Sequence, residues 1–260
     1  MSMKDRGYGT IRVALEGAVG TITLDVPERK NPIGPQMVNE LLYALDDARD
    51  DPDVRVLVLT GAGDAFSAGG DLKQMSSSTG LEPKGDYADL LLRFPKLGKP
   101  TIARVNGAAM GGGLGLVASC DFAIAKESAV LGTPEVRRGL FPMMIMAVLA
   151  RVVSRRRLLE MMLLGEKMSA REAAAAELVT RAVPDDRLDE EVAALASKLS
   201  AQSPTALRMG LAAYHHQADR ALEDALPYLR DQLVAILGTE DAREGLMAFM
   251  EKREPRWTGR

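Results

Sequence analysis

The stretch Asn106-Gly107-Ala108-Ala109-Met110-Gly111-Gly112-Gly113-Leu114-Gly115 decides the fold of this chain, and Pro134-Glu135 follows it downstream. Consecutive glycines let a backbone approach a ligand closely, and at a helix start they aim free N–H groups outward. The stretch therefore predicts a strand-to-helix turn that can hold a negatively charged oxygen. Taken alone, it would favour a tight turn packed against a sheet.

A second glycine-rich turn lies upstream, where Ala65-Phe66-Ser67-Ala68-Gly69-Gly70-Asp71-Leu72 follows the apolar run 54–60. Two separate turns can thus offer backbone donors. An oxyanion site needs two such donors that converge on one oxygen, and they contribute most when they are preorganised away from water. The pair of turns therefore indicates oxyanion chemistry more strongly than either turn does.

The two motifs, followed by Pro134-Glu135, resemble the crotonase (enoyl-CoA hydratase/isomerase) superfamily. The resemblance runs from the hairpin-like start and residues 27–33 to the tail at 244–253. It implies an α/β fold of stacked β-sheets, built from repeated ββα units and flanked by helices. It also implies a core over residues 1–200 and a helical portion over 201–260 that covers the active site and forms homotrimers or hexamers.

By the same resemblance the protein is an acyl-CoA enzyme of fatty-acid or related metabolism. The N–H groups of Ala68 and Gly112 would form an oxyanion hole for a thioester enolate, and Glu135 would be the acid and base. No cofactor is implied, because coenzyme A is part of the substrate. The implied contacts to the CoA substrate are Lys30, Ser67, Ala68, Gly69, Gly70, Asp71, Leu72, Gly112, Met143, Phe249 and Lys252. Plain structural roles stay open for several of them, such as turn and cap hydrogen bonds for Ser67 and Asp71.

Gly115 is a departure from the hydratase pattern, in which a glutamate stands two residues after the Gly-Gly-Gly run. A glycine cannot exchange a proton, so the two-carboxylate arrangement is broken unless the loop 76–85 or a neighbouring subunit supplies a replacement. One carboxylate suffices to isomerise a 3-enoyl thioester to a 2-enoyl thioester. The residues favour isomerisation, with hydration close behind. Thioester hydrolysis, decarboxylation and acyl-CoA binding with little turnover stay open.

Glu135 has an alternative reading of its own, because Thr133-Pro134-Glu135 is also typical of a solvated carboxylate in the first turn of a helix. The spacing of Glu135 from the glycine run favours catalysis. The methionines of 143–146, downstream of Glu135, predict either an apolar, adaptable pocket wall or the core of a helix.

Apolar spacing along the chain predicts alternating strands and helices, followed by helices alone. We expect a hairpin within 10–25 and further strands at 54–60, 101–106, 122–125 and 178–183. The expected helices are 35–50, 86–97, 112–119, 143–153, 188–201, 204–217, 220–237 and 239–252.

Composition agrees with a globular enzyme subunit of 260 residues, 47% hydrophobic, with a net charge of -3. We expect no nucleic-acid partner and no membrane partner. The single cysteine, Cys120, excludes an internal disulfide and favours the cytoplasm. His215 and His216 have no accompanying ligand cluster in the sequence, so no metal site is predicted.

Overall fold

Two β-sheets form the centre of the computed structural model, which describes residues 6–71 and 80–260. The first sheet has six strands: β1 (Ile11–Glu16), β2 (Val19–Leu24), β3 (Val56–Gly61), β5 (Thr101–Val105), β7 (Phe122–Lys126) and β10 (Arg181–Val183). Their order in the sheet is β1-β2-β3-β5-β7-β10. The predicted hairpin is confirmed as the antiparallel pair β1-β2, and the remaining pairs are parallel.

The second sheet contains four short strands, β4 (Ala65–Ser67), β6 (Ala108–Met110), β8 (Val130–Gly132) and β9 (Lys167–Ser169), in the order β4-β6-β8-β9. Strands β4, β6 and β8 each follow directly on β3, β5 and β7 of the first sheet. The chain therefore passes from one sheet to the other in three successive units, which confirms the predicted stacked sheets. The two glycine-rich turns lie at the ends of β4 and β6.

Helices flank the sheets, and the bounds within the described residues are α1 (Pro35–Asp50), α2 (Tyr87–Leu91), α3 (Gly112–Ser119), α4 (Met143–Leu149), α5 (Arg155–Leu164), α6 (Ala170–Ala175), α7 (Leu188–Ser200), α8 (Pro204–Gln217), α9 (Leu222–Leu237) and α10 (Glu240–Glu251). Short 3₁₀ turns occupy Pro27–Arg29, Phe94–Lys96, Pro134–Arg138 and Asp185–Arg187. No helix of this part of the chain is both long and apolar enough to cross a membrane.

Three predicted elements were too long. The expected helix 86–97 ends at Leu91 and gives way to a 3₁₀ turn, because Pro95 has no N–H to continue the α-helical ladder. The expected helix 143–153 ends at Leu149. The expected strand 178–183 pairs only over Arg181–Val183, since Leu178 and Val179 are buried as part of the turn that follows α6.

The core lies on both faces of β3, which is buried at every position. On one face Leu57 and Leu59 join the large cluster that α1 covers, and on the other Val56 and Val58 pack against α7. The predicted apolar face of α1 is confirmed, because Met37, Leu41, Leu42 and Leu45 are all buried. Each such side chain contributes roughly 1.5–3 kcal/mol of burial free energy. Burial of a strand by helices on both faces of the sheet is typical of a central parallel strand.

The last three helices leave much apolar surface uncovered. Helix α8 reaches the body of the protein through Arg208, whose Cγ lies near Gly98, whereas α9 and α10 pack on α8 and on each other. The exposed apolar side chains on α9 and α10 are Leu222, Leu226, Leu233, Val234, Leu237, Leu246, Met247, Phe249 and Met250. The division at residues 200 and 201 and the assembly into trimers stay predictions.

Candidate active site

The N-terminus of α3 provides the first free backbone donor. Strand β6 leads into Gly111, whose φ of 49° is one that only glycine adopts readily, and α3 begins at Gly112. The N–H of Gly111 donates to the carbonyl of Gly132 at 2.9 Å, whereas the N–H of Gly112 has no acceptor among the described residues. Gly112 lines a cavity. The predicted donor at Gly112 is therefore free within the described residues and belongs to a residue that lines the cavity.

The second predicted donor, Ala68, is wrong. Its N–H donates to the carbonyl of Lys30 at 2.8 Å and is therefore already used inside the protein. The next N–H, that of Gly69, donates to the hydroxyl of Ser67 at 3.1 Å. Neither group is available to a substrate.

Gly70 supplies the missing donor instead. Ile33 and Gly70 form an isolated parallel bridge, in which the N–H of Ile33 donates to the carbonyl of Gly69 and the N–H of Asp71 donates to the carbonyl of Ile33. Because successive backbone groups of an extended chain point in opposite directions, the N–H of Gly70 points away from Ile33. Within residues 6–71 and 80–260 it has no acceptor, and Gly70 lines the same cavity as Gly112.

Glu135 lies in the 3₁₀ turn that follows β8, with Pro134 at the first position of the turn. Its carboxylate reaches the start of α3, because a Cβ added to Gly111 would come within 2.7 Å of the Glu135 Oε1. Oε2 is buried and has no hydrogen-bond partner in the described part of the chain. Burial raises the pKa of Glu135, and a backbone hydrogen bond and the charge of Arg138 offset part of that rise.

A buried carboxylate oxygen without a partner, such as Oε2 among the described residues, is unusual, because burying a charge without full compensation is costly. A raised carboxyl pKa keeps such a group poised to exchange protons nearer neutral pH. Glu135 lies in the first turn after Pro134, as the alternative interpretation expects, but it is half-buried rather than fully solvated, and its catalytic role stays a prediction. The arrangement of two free N–H groups beside Glu135 can hold a developing oxyanion while a proton moves.

Tyr87 is a cavity residue that the sequence reasoning missed. It begins α2, and its hydroxyl donates to the carbonyl of Gly112 at 2.5 Å. Burial, and to a smaller extent the charge of Glu135, raise the pKa of Tyr87, so the phenol stays protonated. The only local signal was an aromatic residue after a capping aspartate, Asp86, which does not by itself indicate a site.

The cavity between these groups has a volume of about 440 Å³ and an apolar wall. The apolar part is formed by Ile33, Pro35, Val38, Leu140, Phe141, Pro142, Met143, Met144 and Ile145. Met143 lies at the cavity as predicted, with 65% of its surface exposed, and Ile145 is buried. Met143 and Met144 therefore belong to the pocket wall, whereas the core alternative is wrong for the methionines, because Met143, Met144 and Met146 are all exposed and the buried residue among them is Ile145.

Two other carboxylates line the cavity, and each has a structural partner. Asp71 forms a 2.6 Å ion pair with Arg29, and only 3% of its side chain is exposed. Asp86 accepts hydrogen bonds from the N–H groups of Ala88 and Asp89 and so caps α2. Glu135 is thus the cavity carboxylate with a buried, unpaired oxygen among the residues that the structure describes.

The structure places the remaining predicted contacts differently. Ala68, Gly69, Gly70 and Asp71 line the cavity, and Leu72 lies outside the described residues, as do residues 76–79 of the loop proposed to replace the missing carboxylate. Ser67 is completely buried and its hydroxyl donates to the carbonyl of Asn31, so its role is the turn and the prediction of a substrate contact is wrong.

Lys30, Phe249 and Lys252 are not brought to the cavity within this chain. Lys30 is exposed and has a left-handed backbone conformation, and its backbone carbonyl accepts the hydrogen bond from the N–H of Ala68. Phe249 is 83% exposed, and Lys252 ends α10 with a φ of 54°. Contact of Phe249 and Lys252 with CoA stays a prediction that requires a neighbouring subunit.

Comparison with known proteins agrees with this geometry. The family model described as enoyl-CoA hydratase/isomerase matches residues 14–260. A Mycobacterium bovis protein named probable enoyl-CoA hydratase echA8 is 37% identical over 257 residues, covering 97% of this chain and 99% of the relative. Enoyl-CoA hydratase domain-containing protein 3, mitochondrial, of Xenopus laevis is 34% identical, covering 94% and 84%.

Among solved structures, the crystal structure of enoyl-CoA hydratase from Bacillus anthracis superposes with a TM-score of 0.89 at 30% identity, covering 97% of this chain and all of that one. The fold and these similarities define a crotonase-type protein. The chain belongs to the enoyl-CoA hydratase/isomerase family.

Proposed function

We infer that this protein acts on acyl-CoA thioesters and moves a proton within the acyl group, converting a 3-enoyl-CoA to a 2-enoyl-CoA. One observation carries the inference. In the part of the chain that the structure describes, Glu135 has a buried carboxylate oxygen without a partner, and it lies beside the free N–H of Gly112 in an apolar cavity. A single base next to an oxyanion site is sufficient for a proton shuttle but leaves no second carboxylate to hold an attacking water.

The substrate would bind with its thioester oxygen between the N–H groups of Gly70 and Gly112. Glu135 removes a proton from the carbon next to the thioester, and the electron pair of the broken C–H bond spreads into a dienolate. The oxyanion donors hold that charge, and removal of one such donor in another class of enzyme raises the barrier by on the order of 3 kcal/mol. Glu135 then returns the proton two carbons further along the chain.

Hydration of a 2-enoyl-CoA is the second candidate, and the names of the bacterial relatives favour it. It would require a water held against Glu135 by a group other than a carboxylate. Asp71 and Asp86 already have partners, and the protonated Tyr87 cannot act as a base. For these reasons we place hydration second.

We also infer a homotrimer or hexamer that works in the cytoplasm in fatty-acid or related acyl-CoA metabolism. The uncovered apolar side chains of α9 and α10 support the assembly, because helices with such surfaces bury them against another element. The single Cys120 supports a reducing compartment. Sedimentation of the purified protein tests the assembly, and a monomer at all concentrations would contradict it.

The function is tested with trans-3-hexenoyl-CoA and trans-2-hexenoyl-CoA, followed by absorbance of the conjugated thioester and by mass. The wild type should form the 2-enoyl product without gain of water. Glu135→Gln should abolish that conversion while CoA binding persists, and Glu16→Gln, at an exposed position at the end of β1, is the matched control. Gain of water that depends on Glu135 would favour hydration. No turnover of either substrate would contradict both isomerisation and hydration.

A further inference from the structure

The space above Gly115 is already filled. A Cβ added to Gly115 would lie 2.3 Å from Cγ2 of Ile145 and 2.5 Å from the hydroxyl oxygen of Tyr87. Real Cβ atoms do not approach other atoms so closely, so any side chain at this position must displace both neighbours. The absence of a carboxylate at Gly115 is therefore built into the packing of α2 and α4 against α3, and is not a single exchanged residue.

Tyr87 is held in this place by its contacts with Gly112. Its hydroxyl donates to the carbonyl of Gly112, in the first turn of α3. Its ring also lies beside Gly112, where an added Cβ would be 3.6 Å from both the ring carbon Cζ and the hydroxyl oxygen. Behind it, Ile145 is 3% exposed and fixed in the core. The two side chains form a continuous wall of the cavity between α2 and α4.

The wall formed by Tyr87 and Ile145 lies next to Glu135 and the N-terminus of α3. Glu135 approaches Gly111 and the oxyanion donor is Gly112, whereas the phenol covers Gly112 and Gly115 on the same turn of α3. A water that attacks the acyl chain must lie against a second polar group near Glu135. The phenol ring and the Ile145 methyl take up the volume next to Gly115 in which such a water and a group to hold it would lie.

We propose that Tyr87 and Ile145 are the specificity-determining residues of this site, because together they exclude an attacking water beside Glu135 and so commit the enzyme to proton transfer. This inference rests on the proposed isomerisation. The proposed role differs from a catalytic role for the Tyr87 hydroxyl, because the volume of the Tyr87 and Ile145 side chains is what excludes the water. The hydroxyl itself has a positioning role through its bond to the carbonyl of Gly112.

The experiment measures the ratio of hydration to isomerisation, with trans-2-hexenoyl-CoA and trans-3-hexenoyl-CoA as the two substrates. Tyr87→Phe keeps the ring and loses the hydroxyl, so the ratio should stay within about twofold of the wild type even where kcat falls. Tyr87→Ala and Ile145→Ala open the same space from opposite sides, and each should raise the ratio by roughly tenfold or more, a small part of what a positioned base contributes to a rate.

Tyr43→Ala is the matched control, because Tyr43 lies on α1 and its hydroxyl donates to the carbonyl of Glu82, away from the cavity. It should leave the ratio unchanged. Thermal unfolding of each variant identifies any that fails to fold, and in that case the other cavity variant and Tyr87→Phe decide the question.

An unchanged ratio in the folded cavity variants would overturn the proposal. So would a wild type that hydrates and a Tyr87→Phe variant that no longer does, because the hydroxyl would then be holding the water. A wild type that transfers no proton at all would instead contradict the proposed function, which separates the two failures.

Discussion

Replacing Gly115 by alanine should destabilise the protein, although alanine is the better helix former. Within α3 the exchange gains about 1 kcal/mol of helix propensity. Against that gain, the new methyl group would overlap Ile145 Cγ2 at 2.3 Å and the Tyr87 hydroxyl at 2.5 Å. Overpacking of this kind costs about 1–3 kcal/mol, and loss of the Tyr87 bond to Gly112 costs about 1 kcal/mol more. We expect a net loss of about 1–3 kcal/mol in the free energy of unfolding.

Gly210→Ala provides the matched comparison, since Gly210 is also inside a helix, α8, but is exposed and has open space where its Cβ would lie. It should gain up to about 1 kcal/mol. Urea unfolding at one fixed protein concentration measures both variants against the wild type. If Gly115→Ala is stabilised as much as Gly210→Ala, the space above Gly115 is not filled and the reasoning on Tyr87 and Ile145 is refuted.

Three further predictions concern the oxyanion turns and the base. Gly69→Ala should lower the free energy of unfolding by about 2 kcal/mol or more, because Gly69 has a φ of 93° and an added Cβ would lie 2.8 Å from the carbonyl oxygen of Met110. Gly70→Ala is the control, since an added Cβ there meets open space, and it should unfold near the wild-type urea midpoint. Equal losses of stability in the two variants would contradict this. Asn31→Ala should lower the free energy of unfolding by about 3 kcal/mol, since the completely buried amide donates to three backbone carbonyls and accepts from one N–H. A thermal midpoint like that of the wild type would refute this prediction. The raised pKa of Glu135 places the acidic limb of the pH–rate profile above the ordinary glutamate value of about 4.3. Because the folded state binds this proton more tightly than the unfolded state does, ionisation of Glu135 makes the folded protein less stable as the pH rises. Glu135→Gln should therefore be at least as stable as the wild type at pH 7, with the difference vanishing on acidification, and a less stable variant at pH 7 would contradict the burial of the charge.

The glycines of the opening stretch show how far sequence reasoning reaches. The run predicted a helix start with a free donor, which is confirmed at Gly112. It did not separate the glycines that face the cavity from those that allow close packing. A Cβ at Gly107 would lie 1.9 Å from the carbonyl oxygen of Asp64, and one at Gly113 would lie 2.5 Å from the Cβ of Ser67. Both therefore serve the contact between the two turns.

The donor assigned to Ala68 failed for a similar reason. Which N–H of a turn is free depends on the strand that pairs with it, and Ile33 comes from a distant part of the sequence. Periodicity likewise found α1 and β3, whose apolar patterns are long, and missed β4, whose three residues carry no pattern. Tyr87 was missed because only the fold brings α2 beside α3.

The most direct test of the account follows trans-3-hexenoyl-CoA in water enriched with oxygen-18, with wild type and Glu135→Gln compared at equal concentration. Glu135 as a lone proton shuttle predicts a 2-enoyl-CoA product without oxygen-18, formed by the wild type and lost in the variant. A 3-hydroxyacyl-CoA that carries oxygen-18 as the main product, formed only when Glu135 is present, would contradict the account and show that the site activates water.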